Sequence, residues 1–282
     1  MKLYEISDSY INYMLSFFHS TMLENKEETR VHSRKYLGVI ISINGYNYFA
    51  PLSSPKDSDY KDGVIRANSS IVFRMVKDYS TKPKLLGTIK FNNMIPAPNK
   101  EIKEYDYDNE LDLKYKNLVL DELNWINHNI TKIRGTAKRL YNSKLNESTL
   151  RNANNKKYYD SIMPFSKAEE KCSLWDKTVG IKENYLSYEE VKKTNDHIRH
   201  KDEEYEQSMI EGKYFVYKDN LYRIDKIELK PLGSDSAILT KLTISGEEKY
   251  IDNNFTSDAK FNLHLQKIDS KILSNFKDNK NR

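Results

Sequence analysis

Residues 34–56 read RKYLGVIISINGYNYFAPLSSPK, and this stretch decides the fold. Tyr36 to Ile43 is apolar and rich in β-branched residues, the composition of a half-buried strand. Asn44-Gly45 supplies the two positive φ angles of a type I′ turn, and Tyr46 to Ala50 returns as the second strand. Pro51 has no N–H to give to a ladder and is expected to end the hairpin. The tip that follows, Leu52-Ser53-Ser54-Pro55-Lys56, carries two hydroxyls and an ammonium. A rigid hairpin brings Arg34, at its start, back beside Ser53, Ser54 and Lys56, at its end. Two cations and two hydroxyls in one small space suit a phosphate.

Charge follows the hairpin. The chain of 282 residues carries a net +5. Residues 1–177 hold 28 Lys and Arg against 22 acidic residues, and residues 178–282 hold 18 against 19. Within 26–92 the ratio is 12 to 6. A polyanionic partner is therefore expected for the first part and not for the second. The 21 tyrosines offer stacking surfaces for single-stranded bases, although most are expected in core and boundary positions. Mean hydropathy is −0.79, and no apolar run approaches the ~18 residues of a membrane span. The start, MKLYEISDSY, lacks the apolar stretch of a signal peptide. One cysteine, Cys172, excludes an internal disulfide and a Cys-based zinc cluster, which points to a reducing cytoplasm. His197 and His200 fall on a charged helix and read as a solvated face, so no metal or other cofactor is expected.

Working outward, Ser7-Asp8-Ser9 caps a short helix to about His19. Residues 57–69 form a polar connector turning at Asp62-Gly63, and Ser70–Val76 and Leu85–Phe91 are further strands. From Leu111 to Leu140 apolar residues recur at helical spacing, predicting a helix of roughly 30 residues broken near Asn127–Asn129 or Gly135. Phe165–Trp175 is a last helical piece with Cys172 buried. After about Thr178 the character changes. Ser187-Tyr188-Glu189-Glu190 is a capping box opening a charged helix to about Ile210, with few core positions and hence a spacer or a weakly packed element. Lys213–Lys218, Leu221–Leu229, Ala237–Ile244 and Lys249–Ile251 form a small antiparallel sheet, with turns at Asp219-Asn220 and Ser245-Gly246, and 268–276 a final helix. Two domains are expected, 1–177 and 178–282.

Four segments occur in a telling order: MKLYEISDSYINYM, the hairpin end FAPLSSPK, LGTIKFNNMIPAP and LDLKYKNLVLDELNWINHNITKI. In this order they resemble the ToxN/AbiQ-type endoribonuclease toxins of type III toxin–antitoxin systems, which act in abortive infection against phage. The resemblance covers residues 1–177 and implies an α+β fold: a strongly bent, barrel-like antiparallel sheet flanked by helices. It implies metal-independent cleavage by the RNA's own 2′-OH, leaving a 2′,3′-cyclic phosphate and a 5′-OH. It also implies a partner, a repetitive antitoxin RNA folded as a pseudoknot, which the toxin cuts into units that inhibit it in a closed protein–RNA assembly. Cellular and phage RNA are the implied targets.

The family's basic residue ahead of the first hairpin strand falls on Arg34, its hydroxyl pair on Ser53 and Ser54, and its later lysine on Lys56. Arg34 and Lys56 are assigned to charge stabilisation, Ser53 and Ser54 to positioning. A tyrosine that some members carry falls on Arg30 here. Arg30 binds phosphate in its place, or His32 or Tyr36 substitutes. Lys61, Arg66, Lys84, Lys90 and Lys116 are candidate RNA contacts. The second part, outside the resemblance, is expected to bind a protein partner or to self-associate. The rival reading of the whole chain is a non-catalytic module that binds structured RNA.

Overall fold

The computed structural model describes residues 1–25, 32–78, 82–146, 156–178, 180–200, 209–230, 235–258 and 260–268. The expected final helix lies outside them from residue 269 onward. The chain divides into two compact units, Met1–Cys172 and Ser173–Arg282.

The first unit is built on antiparallel pairing. Its strands are β1 (Lys2–Ile6), β2 (Tyr36–Ile43), β3 (Tyr46–Ser53), a small hairpin of β4 (Tyr60–Lys61) and β5 (Val64–Ile65), then β6 (Val72–Lys77), β7 (Lys84–Lys90), β8 (Ile95–Pro96) and β9 (Ile102–Glu104). The main sheet has seven strands in the order β6-β7-β3-β2-β1-β9, with β8 also on β3. Among the described residues its ends, β6 and β9, do not pair with each other, so no closed barrel is found.

The hairpin forms as its residues dictate. Asn44 and Gly45 have φ of 54° and 82°, the signs a type I′ turn needs. Gly38 sits where β2 passes over Phe49, and a Cβ there would lie 2.1 Å from Phe49 Cδ1. The register between the two strands shifts across this point, between Leu37 and Ile41.

Pro51 does not end β3, which runs on to Ser53. Leu52 N–H donates to Lys35 O at 2.9 Å, so the neighbouring Pro51 nitrogen points away from β2. On that far side β3 is leaving β8, paired at Phe49↔Ile95, and joining β7, paired at Leu52↔Ile89. The missing N–H falls in the gap between the two partners and costs no ladder bond. β3 thereby carries Ser53 into register with Thr88.

Helix α1 (Asp8–Phe18) is capped by Ser7, whose Oγ accepts from Tyr10 N at 3.3 Å. The long apolar stripe becomes two helices, α2 (Leu113–His128) and α3 (Ile130–Leu145). The break falls at Asn129, whose N–H and Nδ2 both return to Trp125 O, and not at Gly135. Asp112 caps α2, so Leu111 lies outside the helix and is 94% exposed. Val119, Leu123, Ile126, Ile133, Ala137 and Leu140 are the buried face. Each large aliphatic side chain there contributes about 1.5–3 kcal/mol. β1 and β9 escape the sequence reading because each is short and sits beside a stronger helical or turn signal.

The second unit carries a five-stranded antiparallel meander, β10 (Tyr214–Tyr217), β11 (Asn220–Glu228), β12 (Ser236–Thr243), β13 (Gly246–Asp252) and β14 (Leu265–Lys267). The first turn is at Lys218-Asp219, where φ is 45° and 60°, one residue earlier than expected. The charged helix spans Tyr188–His200 within the described residues, and it is not a spacer. Val191 and Ile198 enter one core with Phe215, Ile224, Leu239 and Phe255. Asn195, on the same face, donates from Nδ2 to Phe255 O. Three buried positions at helical spacing are enough to dock a helix that is otherwise charged.

Candidate active site

The end of β3 is held by a buried cation. Arg34 is 1% exposed. Its Nε donates to Glu24 O at 2.8 Å, and one terminal nitrogen donates to Leu52 O and Ser53 Oγ, both at 3.0 Å. The guanidinium thus ties the segment before residue 26 to the last two residues of β3. Ser53 Oγ accepts from Arg34 and keeps its own proton for another acceptor. Arg34 is therefore no open cation at a strand start. It fixes the hydroxyl and lends it positive charge from behind.

Lys56 is exposed and opens a 3₁₀ turn, Asp57–Asp59. Its N–H donates to Asp59 Oδ2 at 3.1 Å, while Asp59 Oδ1 pairs with Arg74 at 3.0 Å. Asp59 is buried, so this carboxylate sets the backbone at Lys56 and is itself held by β6. Register places Ser53, Thr88 and Arg74 in one cross-strand row, with Lys90 two residues along β7 on the same face. Burial lowers the pKa of Lys90. Asp59 opposes that shift, and Arg74, Lys56 and Arg34 add to it. Four cations, Arg34, Lys56, Arg74 and Lys90, thus gather around Ser53 with one carboxylate among them.

Ser54 is exposed. It lines a pocket of about 270 Å³ together with His32, Lys35, Ser53, Tyr115 and Glu122. His32 stacks flat on Tyr115, with centroids 4.0 Å apart and rings 5° from parallel, and its Nε2 is 3.6 Å from Asp112 Oδ2. Tyr36 is buried, and its hydroxyl donates to Asn25 Oδ1 at 2.9 Å. It is a strut under the Arg34 segment and does not reach the pocket lining. Arg30 lies outside the described residues.

The other candidate contacts scatter. Lys61 is exposed on β4, and exposed Arg66 spends Nε on Tyr60 O at 3.1 Å. Lys84 stands at the far end of β7, opposite Lys77. Lys116 donates to Asp108 O at 2.8 Å. Only Lys90 joins the cluster at Ser53. Among the described residues no group of three His, Cys, Asp or Glu side chains is placed to hold a metal ion.

Sequence reasoning missed Asp59, Arg74 and Glu122. A signal existed for Glu122: it stands i+4 from Leu118 and i−4 from Ile126, on the apolar stripe of α2. An acid at a core position of a helix is an anomaly that needs a reason.

The sequence model of the family described as "Toxin ToxN, type III toxin-antitoxin system" matches residues 2–173. The chain is 31% identical over 185 residues to Endoribonuclease ToxN of Bacillus thuringiensis subsp. kurstaki, covering 64% of this chain and 88% of that protein. It is 31% identical over 109 residues to Endoribonuclease AbiQ of Lactococcus lactis subsp. lactis, covering 36% and 54%. A solved structure concerned with selective toxin inhibition by a non-coding RNA pseudoknot in bacterial type III toxin–antitoxin systems superposes with a TM-score of 0.51 at 30% identity. That match covers 63% of this chain and 98% of the other.

Proposed function

The chain belongs to the ToxN family of type III toxin–antitoxin endoribonuclease toxins, and from that premise we propose that it cuts RNA at the corner of Arg34, Ser53, Lys56 and Lys90. The observation that carries this reading is the buried guanidinium of Arg34 on Ser53 Oγ, within a group of four cations.

The reaction is a transesterification without a metal. The O2′–P bond forms as the P–O5′ bond breaks. The 2′-hydroxyl gives up its proton, the 5′-oxygen takes one, and the ends are a 2′,3′-cyclic phosphate and a 5′-OH. Ser53, polarised by Arg34, donates to a non-bridging oxygen. Lys56, exposed on its turn, balances the charge that grows on the phosphorane. Lys90 has a pKa lowered by burial and by its cationic neighbours, so it passes a proton more readily than a solvated lysine. Ser54 positions the strand from the adjoining pocket, and Lys61, Arg66, Lys84 and Lys116 follow the backbone further out. The handover of β3 from β8 to β7 supports a strongly bent, barrel-like course for the sheet.

The partner is a repeat antitoxin RNA folded as a pseudoknot, processed and then inhibitory in a closed assembly, and the targets are cellular and phage RNA in the cytoplasm. Residues 178–282, an accessory domain, serve a protein partner or self-association, which light scattering of the whole chain reads directly.

The test is incubation with cellular RNA and excess EDTA. The expected products carry 5′-OH and 2′,3′-cyclic ends, and Ser53→Ala loses them. Cutting abolished by the chelator overturns the metal-free mechanism. Undiminished cutting by Ser53→Ala moves the site elsewhere.

A further inference from the structure

Between the end of β3 and the start of β6 the chain leaves the main sheet. Among the described residues 54–71 only Asp59 is buried, at 2% exposed. A segment this exposed buries too little apolar surface to order itself. Yet it carries Lys56, Lys61 and Arg66, three of the cations expected to meet RNA.

Its order comes from two groups at its root. Asp59 works from inside the segment. Its N–H donates to Lys56 O at 2.8 Å, its Oδ2 accepts from Lys56 N–H at 3.1 Å, and its main-chain O accepts from Arg66 N–H at 2.9 Å. Arg74 works from β6. Nη2 pairs with Asp59 Oδ1 at 3.0 Å, Nη1 donates to Ala67 O at 2.8 Å, and the main-chain N–H donates to Asn68 Oδ1 at 2.6 Å. The fork of one guanidinium thus grips both ends of the segment. Between them the turn at Asp62-Gly63, with φ of 52° and 78°, folds the chain back as β4 on β5. The result is a compact loop with its ends tied together.

The side chains of Arg74 and Asp59 are 11% and 3% exposed. Taking both charges out of water offsets much of their attraction, so such a pair is a weak source of stability. Arg74 Nε, buried and without a hydrogen-bond partner among the described residues, adds to the cost. What the pair does achieve is the selection of one loop geometry out of many.

We propose that Asp59 and Arg74 are positioning residues for the cleavage: their ion pair closes the loop 56–68 and holds Lys56 where the phosphorane forms. This rests on the endoribonuclease reading above. Lys56 stands three residues past Ser53. On the Ser53 side the chain is fixed by the pairing of Ser53 with Thr88, and on the far side by Asp59. Without the second anchor the ammonium swings with an exposed loop. A misplacement of about 1 Å in such a group costs on the order of 10²-fold in rate.

The test is a mutant cycle on the rate of 2′,3′-cyclic phosphate formation with enzyme in excess, and with melting temperatures taken alongside. Asp59→Ala and Arg74→Met are each expected to slow the reaction by about 10²-fold. Asp59→Asn keeps an acceptor for Lys56 N–H and is expected to recover roughly 10-fold of that loss. Lys56→Ala alone is expected to lose about 10²–10³-fold. Adding Asp59→Ala to it is expected to cost less than about threefold more, because a lysine that is absent cannot be misplaced. Where Asp59→Ala does not fold, Arg74→Lys takes its place in the cycle, since it keeps the charge and loses the fork. Losses that multiply in the double variant, or wild-type rates in Asp59→Ala, overturn the proposal.

Hydrogen exchange gives a second reading that needs no activity. The amides of Lys56 and Arg66 are expected to be protected in the wild type and to lose that protection in Arg74→Met, and unchanged protection overturns the proposal. Wild-type protein that yields no cyclic-phosphate ends overturns the cleavage reading while the exchange result stands, so the two failures are told apart.

Discussion

Two carboxyls, a half-buried one in the second unit and a buried one in the first, have opposite surroundings. Asp225, on β11 of the second unit, receives Arg223 Nε at 2.7 Å, Thr240 Oγ1 at 2.5 Å and Lys249 Nζ. Burial pushes its pKa up, but the hydrogen bonds from Lys249, Thr240 and Arg223 outweigh this and hold it below the usual range. Glu122, on α2 of the first unit, has the burial without the partners, and its pKa goes to about 8. The cations tell the same story. Around Asp225 they are consumed by the acid they surround, while the carboxylate near Ser53, Asp59, pairs with Arg74 alone of the four cations gathered there. A region that neutralises its own charges is built for stability. One that gathers more cations than carboxylates is suited to an anionic ligand.

The hardest blow to this contrast falls on the Ser53 corner. Arg34→Ala leaves Glu24 O, Leu52 O and Ser53 Oγ without their donor. Breaking such a buried charged network costs about 3–5 kcal/mol. The expected outcome is loss of cutting, by 10²-fold or more, together with a fall in melting temperature. Ser53→Ala is expected to lose activity by about 10²–10³-fold with little thermal change. If Arg34→Ala melts like the wild type and still cuts, Arg34 is not the staple described.

The pair of acids makes a sharper test through pH. The folded pKa of Glu122 is raised above the ordinary value of 4.5 to about 8. The native state therefore holds a proton that the unfolded chain releases. Stability contributed by Glu122 is full below about pH 4.5, falls through the window between, and is lost above about pH 8, an effect on the order of 5 kcal/mol. Asp225 runs the other way: its lowered pKa stabilises above the unfolded value and is lost as pH falls through the folded one. Glu122→Gln is thus expected to raise the melting temperature at pH 9 more than at pH 5, and Asp225→Asn to lower it at pH 7 by the equivalent of about 1–3 kcal/mol. Equal pH profiles for the two variants would erase the distinction.

A smaller effect comes from the glycine between the acid and the serine. In Gly87→Ala the new methyl meets Glu122 Oε1, Met75 Cε at 3.1 Å and Ser53 O. Overpacking of this kind typically costs about 1–3 kcal/mol. Cutting is expected to fall further than stability does, because Ser53 moves with its carbonyl. A variant that loses stability but keeps full activity would uncouple Glu122 from the cleavage corner.

What the sequence made legible follows from how local each signal is. The hairpin turn, the α2 and α3 stripe and the contact of Arg34 with Ser53 depend on residues close in sequence or on one rigid hairpin. The continuation of β3 past Pro51 depends on a second partner, β7, arriving at that place, which no local rule contains. Arg74 and Asp59 joined the site through the register of β6 on β7, equally non-local. The helix Tyr188–His200 was misjudged because three buried positions among many charges look sparse until the core they enter is known.

The gentlest test concerns Tyr36, which the sequence left open as catalytic support. Its hydroxyl sits on Asn25 Oδ1, and Asn25 Nδ2 in turn donates to Ile6 O and to Asp8 Oδ1, both at 2.8 Å. The Asn25 carbonyl also accepts from Arg34 N–H at 3.0 Å, so the tyrosine braces the segment on which Arg34 closes. Tyr36→Phe removes one hydrogen bond from that brace and nothing that reaches the phosphate. The expected cost is about 0.5–1.5 kcal/mol of stability, with the cleavage rate changed by less than about threefold and its pH profile unmoved. A shifted pH profile at unchanged stability would put Tyr36 in proton transfer and take that role away from the cation cluster around Ser53.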